Sequence, residues 1–437
     1  MKKVFFLFIF LINLLIIFYF WYLRSGLLLT YNQAGLFIAL GRIAGLLAVY
    51  FVLWQLVLIG RIKFLEQIFG LDRLAIVHHF NGLLAWAFIF LHPIFLIIGY
   101  GRANNLGFFS QIFDFLFRWD DLFLAFLSAG VFLIIIILSM ATIRRRLKYE
   151  IWYFIHLFTY LAIIWAFGHQ LELGYDLQNI IFAGYWSALY FVVVALLVYY
   201  RFLTPLYLFY YHRFYVDRIE SENDQVVSIY IKGRNLNKFN FRAGQFAIFR
   251  FLSGELALQA HPFSFSVAPN GEYLRISVKN LGDFTASLKN NLRVNSLVII
   301  DGPHGIFTTQ RSKNNKLTLI AGGIGITPLR AIIEKEPTKD LTLFYSGSKE
   351  ADLIFRSEID ALQNDKLRVN YIVNGGDNWS GEKGHLDEEK LKRLLPDYLK
   401  QDFYLCGPPI MIKNIRRIFK KIGVRKNKIY FEKFSLN

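Results

Sequence analysis

VHHFNGLLAWAFIFLHP, residues 77–93, is apolar enough to lie in a lipid bilayer, yet it carries His78, His79 and His92. An ionisable side chain inside a membrane helix costs free energy, so it is kept where it meets a partner or a ligand. The stretch decides the fold: its composition places it in a membrane, and its imidazoles point to something bound there.

Outward from that stretch, the apolar residues of the 437-residue chain are concentrated before about Tyr200, where Phe, Leu and Ile dominate. From His212 onward the composition is that of a soluble protein. Six runs, at about 4–23, 36–59, 75–99, 121–143, 151–169 and 180–203, are long enough to cross a hydrocarbon core about 30 Å thick. The first opens Met1-Lys2-Lys3 as a signal peptide does, but its apolar run is too long and no small-residue cleavage site follows, so it reads as a span. Lys2, Lys3, Arg61, Lys63, Arg73, the run RRRLK at 144–148, Arg201 and Arg213 fall on one side. The positive-inside rule makes that side cytoplasmic, with both termini, and the expected location is the cell membrane. The opposite connections balance Arg24, Arg102 and Arg118 with Asp114, Asp120, Asp121, Glu172 and Asp176. The formal charge of +17 follows from this topology and from attraction to anionic lipid, so nucleic acid is not an expected partner. The single cysteine, Cys406, excludes an intramolecular disulfide and any Cys-based zinc or iron–sulfur site.

His78 and His92 are 14 residues apart, roughly 21 Å along a helix axis, and project from nearly the same face. The fifth span runs in the same direction and carries His156 and His169, 13 residues apart. Each of two levels thus receives one histidine from each helix. Two imidazoles facing one another can supply both axial ligands of a haem iron, and two such sites stacked make an electron path across a bilayer. A 13-residue step rotates an ideal helix by about 220°, so the fifth span is expected to bend or unwind, with Gly168 as the place. His79 points about 100° away from His78 and lacks a counterpart, which selects His78 as the inner ligand. His79 is expected against a propionate or the flavin domain. The competing reading, histidines satisfied by backbone carbonyls, loses ground because four stand at matched depths. Arg42, in ALGRIAG near the outer end of the second span, is read as a propionate or anion partner in preference to a side chain snorkelling to the interface.

The soluble half opens with short alternating runs between Phe214 and Thr309, broken by Gly, Pro and Asn, the pattern of a small antiparallel barrel or sandwich. Within it HPFSFS, residues 261–266, offers a flavin-binding strand. His261 can donate to a phosphate or ribitol, Pro262 fixes the turn, Ser264 and Ser266 present hydroxyls, and Phe263 and Phe265 give apolar surface. In VKNLGDFTASLKNN, residues 278–291, a strand ends at Lys279, Gly282 admits a close backbone, and a helix starting near Thr285, after Asp283 and Phe284, has free N–H groups suited to a pyrophosphate. Beyond Lys316 strands and helices alternate as in a doubly wound α/β domain, whose ligands bind past the carboxyl ends of the strands. AGGIGITPLR, residues 321–330, reads as a phosphate turn. Gly322, Gly323 and Gly325 let a phosphate approach, Thr327 caps the helix and Pro328 takes its first position. Pro328 stands where the dinucleotide fingerprint has its third glycine, and YSGSKE lacks the usual acidic ribose ligand. Ser346, Ser348 and Lys349 can instead meet a 2'-phosphate, favouring NADPH over NADH. In YLCGPPIM, Cys406, Gly407 and Pro408 end a strand beside any nicotinamide bound at that edge.

Together these residues resemble the ferric reductase and NADPH oxidase superfamily, from about Gly35 to the C-terminus. The resemblance implies a six-helix transmembrane haem domain over 1–210, an antiparallel β-barrel flavin domain over 211–312 and a doubly wound NAD(P)H domain over 313–437. It implies two b-type haems, the inner held by His78 and His156 and the outer by His92 and His169. It also implies FAD at HPFSFS and KNLGDFT, and the nicotinamide nucleotide at GGIGITP, YSGS and CGPP. An aromatic near the C-terminus, here Phe434 in FEKFSLN, stacks on the flavin, and in related oxidases an arginine placed as Arg42 lies by the outer haem. The expected activity is electron transfer from cytosolic NAD(P)H through FAD and haem to an outer acceptor. Oxygen, giving superoxide, is placed ahead of a ferric chelate. A membrane-anchored diaphorase or transporter that sends no electrons across is the reading from another class, and a flavin-free scaffold is a third. The lipid bilayer and the small acceptor are the expected partners, with no obligatory protein partner.

Overall fold

The computed structural model describes residues 2–119, 122–144, 146–147, 149–375 and 379–433. Phe434, Asp120 and Asp121 lie outside the described residues. The chain divides into two compact units, Met1–Arg201 and Phe202–Asn437, so both expected soluble domains fall in one unit.

Six helices are long and apolar enough to cross a membrane: α1 Lys2–Ser25, α2 Gln33–Ile59, α3 Leu71–Ala103, α4 Leu122–Ser139, α5 Tyr149–Leu173 and α6 Ile180–Val198. A helix satisfies its backbone internally, which hydrocarbon demands. The connection after α3 is less simple than the hydropathy implied: Phe108–Arg118 forms a further helix that buries Gln111 and Phe115 and exposes Phe109, Phe113 and Phe117. The helix does not unwind at Gly168, since α5 runs unbroken past it.

Helices α2 and α3 pack closely and antiparallel along a ladder of glycines. A methyl group on Gly41 would lie 2.6 Å from Leu96, on Gly45 2.6 Å from His92, on Gly82 2.6 Å from Gln55, and on Gly99 2.7 Å from Ile38. All four approaches belong to one register, and small residues are what lets membrane helices come this near. By contrast α3 and α5 are not packed backbone to backbone; α5 packs along α4.

The flavin region is two three-stranded antiparallel sheets, not the closed barrel expected. One holds β1 Tyr215–Asn223, β2 Val226–Lys232 and β5 Leu274–Lys279; the other β3 Phe246–Phe251, β4 His261–Ser264 and β6 Val298–His304. Among the described residues, strand pairing between them is limited to single bridges, Tyr215 to Leu297 and Phe265 to Ile276. The ladder cannot close because β4 stops after four residues and the chain turns at Pro269 and Gly271 before β5 begins. A core of Phe214, Phe249, Phe251, Phe265 and their aliphatic neighbours fills the space between the sheets.

The nucleotide region is a six-stranded parallel sheet in the order β10-β9-β8-β7-β11-β12, the strands being β7 Lys316–Gly322, β8 Asp340–Gly347, β9 Leu367–Val373, β10 Glu382–Lys383, β11 Asp402–Gly407 and β12 Ile429–Lys433. Strands β8, β9 and β10 build outward on one side of β7, and β11 then crosses to the other. The topological switch point therefore lies between the carboxyl ends of β7 and β11, where such sheets bind ligands. Helix α8, Ile326–Lys335, follows β7 directly through a 3-10 turn, Gly323–Gly325.

That crevice is built by backbone meeting backbone. A methyl group on Gly325 would strike the carbonyl of Cys406, and one on Gly322 the side chain of Met411. Gly325→Ala is therefore expected to destabilise the soluble unit by about 1–3 kcal/mol, as overpacking does, seen as an earlier thermal transition. Gly325→Ala melting with the wild type would contradict it. The Cys406 thiol is fully buried, and burial, then the Glu432 charge, push its pKa well above that of an ordinary thiol. Because the thiolate is the reactive form, N-ethylmaleimide at pH 8 is expected to leave Cys406 unlabelled in the native chain and to label it once unfolded, as intact mass would reveal.

Candidate functional site

The four membrane histidines form two pairs. His78 and His156 have ring centroids 6.4 Å apart, and so do His92 and His169. Imidazoles sharing one metal ion, each with a nitrogen at about 2 Å from it, place their ring centroids roughly 6 Å apart. On the α3 side each ring is held from behind: Nδ1 of His92 lies 2.8 Å from the Gly41 carbonyl and Nδ1 of His78 3.3 Å from that of Gln55. A donor hydrogen bond there assigns the tautomer that leaves Nε2 as the lone-pair nitrogen. On the α5 side the Nδ1 atoms of His156 and His169 are buried with no hydrogen-bond partner among the described residues, and such atoms in a folded chain call for an explanation. A gap flanked by paired imidazoles, between helices that do not close on each other, has the donor set and width that fit a haem at each level.

Helix α5 is unbroken between His156 and His169, and both rings nevertheless meet their α3 partners. His79 is exposed and meets the edge of Phe80 at 5.6 Å. Arg42 neighbours Gly41, the acceptor of His92, and is held by the chain: it donates to the Ser25 hydroxyl at 3.2 Å and lies 4.2 Å over the Tyr175 ring. Arg24 covers the same ring at 4.7 Å, and Ser25 donates to the buried Asp176 at 3.0 Å.

In the flavin region His261 stacks on Phe284 with centroids 3.8 Å apart, so HPFSFS and GDFT meet. Pro262 is exposed and Phe263 half-buried, whereas Phe265 is buried against Phe241 at 4.2 Å. Ser264 is buried, and the Ser266 hydroxyl is engaged by Ser277 at 3.0 Å and Arg275 at 3.2 Å. Ser266 therefore does not offer the free hydroxyl expected of it. Lys279 ends β5 as expected, but the next helix, α7, runs Asp283–Asn291 and begins before Thr285. The Thr285 hydroxyl accepts the N–H groups of Leu281 and Gly282, at 2.9 and 3.0 Å, so the pyrophosphate donors that remain lie within the first turn of α7. A side chain on Gly282 would meet nothing within 4 Å, leaving that face of the turn open.

At the switch point, Gly323 is the glycine turned to open space, with φ +52°; Gly322 and Gly325 serve packing. Thr327 does not cap α8 and Pro328 is not its first residue. The helix begins at Ile326, the Thr327 hydroxyl donates to the Ile324 carbonyl at 3.0 Å, and Pro328 stands third, where a missing N–H still costs nothing. The 3-10 turn entering the helix moves its start two residues earlier than the proline suggested. Ser346 pairs in register with Gly322 at the same edge, and Ser348 and Lys349 follow, exposed. Gly407, with φ +153°, and the exposed Pro408 form the opposite lip, while the Cys406 side chain points into the core. Geometry thus offers the nicotinamide the backbone of this turn and not its thiol.

Sequence reasoning passed over a buried ionic cluster. Arg275 of β5 donates to Glu358 at 2.7 and 3.0 Å, Arg330 of α8 reaches the same carboxylate at 2.9 Å, and Glu358 sits on α9, Arg356–Ala361. Burial opposes the Glu358 charge, but the hydrogen bonds and charge of Arg275, with Arg330 behind it, outweigh burial and hold the carboxyl below its ordinary pKa. An arginine amid buried strand positions, in YLRISVKN, was the available sign.

Three family models cover most of the chain. Residues 44–167 match a ferric reductase like transmembrane component, residues 211–323 an FAD-binding domain, and residues 319–417 an oxidoreductase NAD-binding domain. The first match includes His78, His92 and His156 and ends two residues before His169. Among curated proteins, the glycine betaine monooxygenase reductase subunit of Chromohalobacter salexigens is 29% identical over 211 residues, 45% of this chain and 57% of that protein. The flavohemoprotein of Oceanobacillus iheyensis is 28% identical over 230 residues, 49% of this chain and 56% of that protein. The matches thus span less than two thirds of either relative. Among solved structures, the FAD/NAD binding domain of nitric oxide dioxygenase from Vibrio cholerae superposes with TM-score 0.46 at 25% identity, covering 51% of this chain and 97% of that one. A ferric-reductase-like membrane region thus runs into FAD-binding and NAD-binding regions in that order, and this combination matches that of NAD(P)H-dependent membrane oxidoreductases of the ferric reductase and NADPH oxidase superfamily.

Proposed function

We propose that the chain carries electrons across the membrane, from NAD(P)H on the cytoplasmic side to an acceptor outside, with O2 reduced to superoxide and a ferric chelate as the alternative acceptor. The observation that supports this most is the pair of histidine couples at one spacing on α3 and α5. His78 with His156 and His92 with His169 would hold two b-type haems, and HPFSFS with the start of α7 would hold FAD. Bound there, these groups supply the one- and two-electron chemistry that side chains lack.

The protein's own part is to hold and to exclude. Gly41 and Gln55 carbonyls orient the α3 imidazoles, and Gly45 leaves room for His92. The switch-point turns receive the nucleotide, Gly323 admitting its phosphates. Ser346, Ser348 and Lys349 favour a 2'-phosphate and hence NADPH. Oxygen is preferred as the smaller acceptor for the outer end, where Arg42, Ser25, Tyr175 and Asp176 tie one another together. Arg42 also puts a positive charge where an anionic product forms. The partners in this reading are the bilayer and the small acceptor.

A visible spectrum tests the reading. The purified chain is expected to show a b-type Soret band equivalent to two haems, and His92→Ala with His169→Ala to halve it while NAD(P)H-driven ferricyanide reduction at the flavin persists. No Soret band in the wild type would leave a membrane-anchored diaphorase. Arg42→Ala is expected to lower the superoxide rate tenfold or more, as loss of one charge-stabilising donor does by about 10²–10³-fold in favourable sites, with haem content unchanged. Cytochrome c reduction with and without superoxide dismutase, beside ferric-chelate reduction, identifies the acceptor.

A further inference from the structure

The soluble unit must present nucleotide and flavin to each other, yet the groups that hold them lie on separate sheets. The Arg275–Glu358–Arg330 cluster joins the flavin region to the nucleotide region. Ser266, the last residue of HPFSFS, gives its carbonyl to Arg275 at 2.8 Å and to Arg330 at 3.3 Å. Arg330 is one helical turn beyond the start of α8, the helix that opens at the glycine turn. Glu334, a turn later, pairs with Arg330 and accepts the N–H of Ala268 at 2.7 Å. The flavin strand's exit and the nucleotide helix's first turns are thus bound by two guanidiniums and two carboxylates, and no flexible loop intervenes.

The cluster is buried where no structural shortage explains it. The side chains of Arg275 and Arg330 are 3% and 9% exposed, whereas those of Glu358 and Glu334 keep 31% and 30%; both guanidiniums reach Glu358, and Arg330 also pairs with Glu334. A guanidinium cannot shed its proton, so the Glu358 carboxylate is the group on which the arrangement turns. Its bidentate geometry fixes direction as well as distance.

We propose that Glu358 is a positioning residue for hydride transfer: by clamping Arg275 and Arg330 to one carboxylate it sets the register between the flavin strand and the nucleotide helix. In the step concerned, the C4–H bond of the dihydronicotinamide breaks and an N–H bond forms on the flavin. Both electrons travel with the hydrogen, leaving NAD(P)+ and reduced flavin. A misplacement of about 1 Å at such a step costs on the order of a hundredfold in rate. The proposal rests on the NAD(P)H-to-FAD part of the function above and is independent of the haems.

The test uses the full-length chain with FAD bound. Glu358→Gln, which keeps the shape and removes the charge, is expected to leave FAD occupancy and the NAD(P)H concentration for half-saturation within twofold. Anaerobic flavin bleaching at saturating NAD(P)H should slow ten- to a hundredfold. In the nucleotide-free protein, amide hydrogen exchange over 266–275 and over α8 should quicken. Glu358→Asp, retaining the charge, should recover part of the rate, and it serves also if Glu358→Gln does not fold. Bleaching within twofold of wild type in both variants, or a loss that merely tracks lost FAD, overturns the proposal. Flavin absorbance alone is read, so a chain without haem still answers it.

Discussion

Everything in the membrane unit depends on how α3 is fixed against α2. The glycine contacts set one antiparallel register, and in that register His78 and His92 of α3 each face a carbonyl of α2 one turn away. The spacing repeats: His78 and His92 are 14 residues apart, and so are their acceptors Gln55 and Gly41. A slip by a turn would pair the imidazoles with different carbonyls and put side chains where only hydrogen fits. Lipid supplies no hydrophobic push between helices, so close packing has to supply the specificity. The cost of keeping histidine in hydrocarbon is met in part by those carbonyls, which retain acceptor capacity within a helix. On α5 the Nδ1 atoms of His156 and His169 have no such partner among the described residues. The two sides of each pair are therefore unequal, the α3 rings being held from behind by carbonyls and the α5 rings not.

The soluble unit meets a related requirement by other means. Two sheets with little continuous pairing between them, and a parallel sheet beyond, have to be held in one arrangement. Apolar contact alone is tolerant of sliding. A cluster with buried guanidiniums is not, because removing the shared carboxylate leaves those charges short of a partner. Arg275, Glu358 and Arg330 thus contribute direction more than net stability.

Much of this was legible in the sequence. Helix number followed from hydropathy because membrane length is a physical constant that every span must meet, and the parallel sheet followed from alternation of strands with helices. The histidine couples were legible because the 14 residues between His78 and His92 are nearly a whole number of turns and His156 and His169 stand at matching depths. What failed was local. Pro328 suggested a helix start that the preceding 3-10 turn had moved to Ile326, and Ser266 looked like a ligand because alternation shows which face a hydroxyl takes but not what else has reached it. The barrel was misjudged because alternation identifies strands, while closure depends on ladder length, and β4 is short. Gly41 and Gly45 stood in plain view in GRIAG, yet only the antiparallel partner shows that their absent side chains make space for Leu96 and His92.

That last point separates two uses of glycine which the sequence cannot tell apart. In GGIG the three glycines read as one phosphate-binding device, yet two are required by the neighbouring CGPP turn and Met411, and one is turned outward with a left-handed φ. A small residue near a ligand is thus as often demanded by what lies behind it as by what it faces. The same holds in the membrane, where Gly45 shapes the site by admitting a histidine from the next helix. Backbone supporting backbone is the common thread: at both sites, side chains or ligands are presented by segments whose spacing is set by contacts one layer behind them. A search confined to the groups that face a ligand would pass over Gly41, Gly45, Gly325 and Glu358, although these are the positions that hold the facing groups in place.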